Sequence, residues 1–142
     1  MVCTLLYSCG GSSSPDEDVK PDYTSVKQQL PLKLETWENN INSKNFSSAK
    51  SISVQNGDFW NSADEAELMI VENKQITYDF YNYQLDANSF LPDNGTASVT
   101  GTVLITQGAL KTVEEKDFTA TYHCSNDPLV VGNWQLDDLN LQ

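Results

Sequence analysis

The stretch Gln75-Ile76-Thr77-Tyr78-Asp79-Phe80-Tyr81-Asn82-Tyr83-Gln84-Leu85 decides the reading of the fold. Ile76, Tyr78 and Phe80 alternate with Thr77 and Asp79, the two-residue period of a strand with one face in a core. Tyr81, Tyr83 and Leu85 then carry the apolar pattern in the opposite phase. A strand changes face when an extra residue enters the pairing. The phase change near Phe80 therefore predicts a β-bulge or sharp bend inside one long strand.

Downstream the pattern stays at period two. Pro92-Asp93-Asn94-Gly95 reads as a turn. Ala97, Val99, Gly101, Val103 and Ile105 alternate with Ser98, Thr100, Thr102 and Thr106, as in a half-buried strand. Gly108 to Lys116 reads as a polar connection. Phe118, Ala120, Tyr122 and Cys124 form a third alternating run, Asn126-Asp127-Pro128 turns the chain, and Trp134 to Leu141 reads as the last strand. No internal repeat is visible.

Upstream the period is helical. Val26, Leu30, Leu34, Trp37 and Ile41 are spaced four, four, three and four apart, one stripe of an amphipathic helix. Asp22 is placed to cap it, and Pro31 inside the stripe predicts a kink or restart. Asn42 to Asn45 ends it, and a short helix over Phe46–Val54 turns Phe46, Ala49 and Ile52 inward. Asn56-Gly57 reads as a turn. Ser62-Ala63-Asp64-Glu65 has the spacing of a capping box and predicts a third helix through Ala66, Met69 and Ile70. Helices followed by a run of antiparallel strands define the α+β class. The expected architecture is N-terminal helices packed on a strongly bent, cone-like antiparallel sheet of the cystatin-like kind, with a lipocalin-like barrel as the alternative.

Two segments carry a resemblance. Glu35-Thr36-Trp37-Glu38-Asn39-Asn40-Ile41-Asn42-Ser43-Lys44-Asn45-Phe46 resembles the opening of the nuclear-transport-factor-2-like (SnoaL-like) superfamily, where an amphipathic helix runs into a break and a second small helix. Gly132-Asn133-Trp134-Gln135-Leu136-Asp137-Asp138-Leu139-Asn140-Leu141 is similar to that superfamily's closing strand. The resemblance implies a bent sheet wrapped around the first helix. It does not choose among the enzymes, ligand-binding modules and interaction domains that share the fold.

The first residues read as an address and a tether. Leu6-Tyr7-Ser8-Cys9 resembles the lipobox of bacterial lipoproteins, which implies that Cys9 is acylated and residues 1–8 are removed. Residues 1–8 are shorter than the roughly 15–30 residues of a signal peptide and lack a basic front, so the true start is expected upstream. Gly10 to Asp18 is a Gly/Ser stretch followed by acids, the composition of a flexible tether. The expected layout is a truncated signal peptide at 1–8, a lipidated Cys9 and acidic tether at 9–21, and one α+β domain at 22–142. Gly10 after the cysteine, rather than Asp, favours the outer membrane. The alternative is a chance match in a cytosolic protein.

Charge narrows the partners. The 142 residues contain 20 Asp and Glu against 8 Lys and no Arg, for a formal charge of −12. A chain so acidic lacks the basic surface that displaces counterions from nucleic acid. Partners are then the membrane through the lipid anchor, a small apolar ligand or an envelope protein, with a homodimer through the outer sheet face as a further option. No cofactor is implied, and no His or Cys stands at metal-ligand spacing. Cys124 reads as a small buried hydrophobe.

Trp37, Tyr78, Phe80 and Tyr122 converge on one interior, either as core or as the lining of a pocket for a small apolar ligand. Tyr81 and Tyr83 fall on the outer face, where with Trp60 they would form an interaction patch. His123, the single histidine, shares the solvent phase of Thr119 and Thr121. Asp138 shares the phase of Trp134 and Leu136, which makes it the weak candidate for an interior acid or base. The expected function is non-catalytic binding at the cell envelope. The alternative is a small SnoaL-like isomerase or hydratase using an interior carboxylate.

Overall fold

A computed structural model describes residues 20–142; Cys9, residues 1–8 and most of the tether lie outside the described residues. Three helices, α1 (Thr24–Asn42), α2 (Phe46–Ser51) and α3 (Asp58–Val71), precede four strands, β1 (Ile76–Leu85), β2 (Thr96–Gln107), β3 (Thr112–Cys124) and β4 (Trp134–Leu141). The strands form one antiparallel sheet in the order β1-β2-β3-β4, with the helices on its concave face. The α+β architecture is as the sequence predicts.

The stripe on α1 is buried along its whole length, from Val26 through Leu30, Leu34 and Trp37 to Ile41. Asp22 accepts hydrogen bonds from the Thr24 amide (3.0 Å) and hydroxyl (2.6 Å) just ahead of the helix. Pro31 does not restart the helix, which runs unbroken from Thr24 to Asn42. Proline removes one intrahelical donor. The stripe on both sides of it holds the helix against the sheet, and Tyr122 donates its hydroxyl to the adjoining Leu30 carbonyl at 2.6 Å.

Two other boundaries differ from the sequence reading. The third helix begins at Asp58, four residues ahead of the Ser62 box, with Gly57 at its N-cap. Burial of Phe59 and Ala63 on the same face as Ala66 draws this first turn into the helix. The segment read as a polar connection is mostly strand: β3 starts at Thr112, and the hairpin closes between Gly108 and Lys111. Thr112 to Lys116 pairs in register with Val103–Gln107, and ladder pairing overrides its polar composition.

The predicted bend in β1 lies at Asn82, two residues past Phe80. The β1–β2 register shifts between Tyr81 and Gln84, and Asn82 takes a left-handed φ of 52°. Gly101 lies beneath the bulge. A Cβ there would sit 2.7 Å from Tyr83 Cα, so the bent strand can cross only because that position is glycine. Tyr83 and Leu85 thus pack against the core, and the expectation that Tyr83 faces outward is not met.

Both edges of the sheet are closed by the helical side. On β1, Asn42 donates to the Tyr78 carbonyl (2.8 Å) and accepts from the Tyr78 amide (3.0 Å), while Glu38 accepts from the Phe80 amide (2.6 Å). Four residues of helix rise about 6.0 Å and two residues of strand about 6.6 Å, so a helix side-chain pair can mimic a neighbouring strand. On β4, Leu136 exchanges backbone bonds with Ile52 and Val54, and the Leu139 amide donates to Asp58 (2.9 Å).

Asn42→Ala removes both bonds at Tyr78 and leaves the edge amide and carbonyl unpaired. The expected loss is about 1–3 kcal/mol, read as a lower urea midpoint at unchanged slope.

Candidate functional site

Along the concave face the inward side chains change character. Phe118, Ala120, Tyr122, Leu136 and Trp134 fill the deep end. Toward the other end of β3 the inward positions become Lys116 and Glu114, opposite Val103 and Ile105. The first turns of α3 lie over this polar end and leave a cleft of about 370 Å³. Its apolar floor is Ile76, Tyr78, Ile105, Leu139 and Leu141. Its rim is Asp58, Asn61, Ser62 and Glu65 from α3, with Gln107, Glu114 and Lys116 from the sheet.

Of the four aromatic candidates only Tyr78 lines this cleft. Trp37 is fully buried, with its ring 5.0 Å from Tyr78 and 5.1 Å from Phe59, edge to face. Phe80 stacks on Tyr78 at 6.0 Å and meets Phe118 at 5.0 Å. Tyr122 is fully buried and spends its hydroxyl on Leu30. Three of the four therefore fill the interior that a deep pocket would need. Among the described residues, Trp37 Nε1 is the buried side-chain polar atom without a hydrogen-bond partner.

Burial pushes the Tyr78 hydroxyl up to about 12, with Glu65 adding to the rise and a hydrogen bond from Ser62 opposing it. At neutral pH the phenol keeps its proton and serves as a neutral hydrogen-bonding group beside Ser62 and Glu65.

Asp138 does not point inward. The β3–β4 register shifts between Ala120 and Tyr122, so Asp137 and Asp138 occupy a bulge between the inward Leu136 and Leu139, and Asp138 is exposed. The sequence phase is correct up to Leu136, and the bulge reverses it. Asp137, half-buried beside Gly57, is the carboxyl whose pKa rises, first through burial and then through Asp138 and Asp58, against the pull of His123. His123 is exposed on the outer face. Glu38 is also held above the ordinary carboxylate range. Burial is the main cause, partly offset by its bond to the Phe80 amide.

The outer patch is not assembled. Tyr83 lies on the core side, and Trp60 sits in the helical layer under the Lys50 ammonium (5.4 Å). Tyr81 is outward and donates its hydroxyl to Glu115. Asp79, Glu115 and Asp117 share that face with a row of threonines, so two such faces brought together would oppose like charges. Cys124 is buried, as expected, and its thiol donates to the Asn126 carbonyl at 3.3 Å. Among the described residues, no group of three His, Cys, Asp or Glu side chains is placed to hold a metal. No described helix is long and apolar enough to cross a membrane.

Most of the cleft is not legible in the local sequence pattern. Glu114 and Lys116 continue the phase of Phe118, Ala120 and Tyr122, a signal visible once β3 is extended back to Thr112. Ser62 and Glu65 were legible as a helix start but lie one turn inside the helix, facing the sheet.

The sequence matches no protein family model and no curated protein. Solved structures do share its fold. Aln2 from a Streptomyces species superposes with a TM-score of 0.55 at 12% identity, covering 87% of this chain and 93% of that one. The intermembrane space region of the chloroplast protein ARC6 gives 0.57 at 9% identity, covering 87% and 98%. The domain shares the α+β fold of these structures, helices packed on one four-stranded antiparallel sheet, and is consistent with the cone-like fold expected from the sequence. At these identities the likeness speaks for the fold alone.

Trp37→Ala opens a hole where α1 meets α3 and β1, and should cost about 3–5 kcal/mol in urea unfolding. Asp138→Asn at the exposed bulge should stay within about 0.5 kcal/mol. The pair of measurements separates a core role from a surface one.

Proposed function

We propose that this chain is a lipid-anchored protein of the bacterial cell envelope whose folded domain binds a small ligand, without catalysis, in the cleft between α3 and the concave face of the sheet. The observation that carries the binding reading is the division of the concave face. Aromatic packing fills its deep end, and the open end keeps an apolar floor under a polar rim. That combination suits a small molecule with an apolar body and a polar head that donates hydrogen bonds to Glu65, Glu114 or Ser62. A concave site of this size takes a small ligand more readily than the flat patch of a protein partner.

The non-catalytic reading rests on the groups in the cleft. The protonated Tyr78 is no base at neutral pH, the carboxylates Asp58, Glu65 and Glu114 stand on the open rim rather than in an enclosed interior, and His123 and Asp138 lie outside the cleft. The anchor rests on Leu6-Tyr7-Ser8-Cys9 and the polar tether after it. With Gly10 next to the cysteine, the outer membrane is the proposed location. The fold shared with Aln2 and ARC6 is compatible with a binding domain and selects no ligand.

Native mass spectrometry of the protein purified from its envelope tests the cleft. The expected result is a non-covalent mass carried by the wild type and absent from Ser62→Trp, whose indole fills the cleft from the sheet-facing side of α3. A wild type with no added mass, and no thermal shift across a panel of small amphiphiles, overturns the binding reading. The anchor is tested separately by palmitate labelling in cells. Label is expected on the wild type and none on Cys9→Ala, and equal label on both removes the anchor.

A further inference from the structure

A second groove, of about 490 Å³, lies at the junction of three turns: the one after α1, the one between α3 and β1, and the β2–β3 hairpin. Each turn contributes a lysine, Lys44, Lys74 and Lys111 respectively. These are three of only eight lysines in a chain with 20 acidic residues and no arginine. No Asp or Glu lines the groove. Lys74 has an ion-pair partner at 3.3 Å, the exposed Glu72, and neither Lys44 nor Lys111 is in an ion pair among the described residues.

The backbone gives an independent observation. Five non-glycine residues in the described chain have left-handed φ: Asn56, Asn73, Asn82, Lys44 (66°) and Lys111 (54°). Asparagine is enriched in that region because its side chain bonds locally, and lysine is not. Both left-handed lysines line this groove. A lysine near a helix C-terminus is ordinarily explained by the dipole. That covers Lys44 and Lys74, but Lys111 sits in a β-hairpin. Two of the three turns are also tied together, since the Gly108 amide of the hairpin donates to the Gln75 carbonyl at 3.0 Å. The cations are therefore brought together by the fold.

We propose that this groove binds a phosphate group, free or on a lipid headgroup. The lysines act as converging point charges, Asn73 is a neutral donor beside them, and Ile70 and Ala109 contact the apolar part of the ligand. A bidentate guanidinium is absent, so recognition rests on charge and is weakened by salt. The site is separate from the cleft under α3 and does not depend on the reading of that cleft.

The test uses the chain with Cys9→Ala, so that no lipid confuses membrane binding. Thermal unfolding is compared in inorganic phosphate and in chloride at equal ionic strength, which cancels differences in baseline stability. A saturable rise of about 3 °C or more is expected at phosphate well above the dissociation constant. The double variant Lys44→Asn, Lys111→Asn places at both positions a residue suited to left-handed backbone. It should therefore stay folded while its apparent affinity for phosphate falls more than about tenfold. A second arm sediments the protein with phosphatidylglycerol or phosphatidylcholine vesicles. Phosphatidylglycerol binding that the double variant loses, without a response to inorganic phosphate, assigns the site to a headgroup. A phosphate response without vesicle binding assigns it to a free anion. No response in either arm, or one that the double variant keeps, overturns the proposal.

Discussion

The closure of the two sheet edges is the constraint on which the rest of this fold depends. A four-stranded open sheet exposes a row of unpaired amides and carbonyls on each side, which would otherwise recruit another chain. Here Asn42 and Glu38 on α1 close β1, and the segment after α2, with Asp58 of α3, closes β4. These bonds fix where α1 lies across the sheet and so which of its residues meets the core. Trp37, next to Glu38, is thereby set among Phe59, Tyr78 and Phe80. The same geometry leaves Glu38 half-buried with a raised pKa. Its ionised form is less favoured in the folded protein than in the unfolded chain, so its contribution to stability falls as pH rises above the ordinary glutamate range.

Because edge closure uses both α1 and the start of α3, the helices cover the sheet unevenly. The deep end is sealed by aromatic packing, and the open end, under the first turns of α3, stays a cleft. The inward face of β3 follows this division, apolar from Phe118 to Tyr122 and charged at Glu114 and Lys116. The bends serve the same shape. The bulge at Asn82 over Gly101 turns Tyr83 inward, and the bulge at Asp137 and Asp138 carries Leu139 to the cleft floor.

The sequence carried the class, the amphipathic face of α1, the existence of a bend in β1 and the burial of Trp37, Tyr78, Phe80 and Tyr122. All of these follow from local periodicity, which depends on the solvent contrast between two faces of one element. Its errors cluster where pairing overrides local preference. Thr112 to Lys116 has a loop's composition and is held as strand by its partner. Ser62 to Glu65 has a helix-start pattern inside a helix already nucleated by the burial of Phe59. Asp138 keeps the right phase only until a bulge that no local pattern announces.

By itself, then, the sequence determined an α+β domain, its apolar interior, a strongly acidic composition and a lipobox-like segment ahead of a Gly/Ser-rich and acidic stretch. Periodicity, charge and short motifs are properties of neighbouring residues, and they survive without a partner. Which aromatic faces a cleft and which fills the core was decided by tertiary structure alone. So was the meeting of Lys44, Lys74 and Lys111 in one groove from turns far apart in the chain. Both depend on register, bulges and the seating of helices on sheet edges, and those are contacts between residues that the sequence does not place side by side.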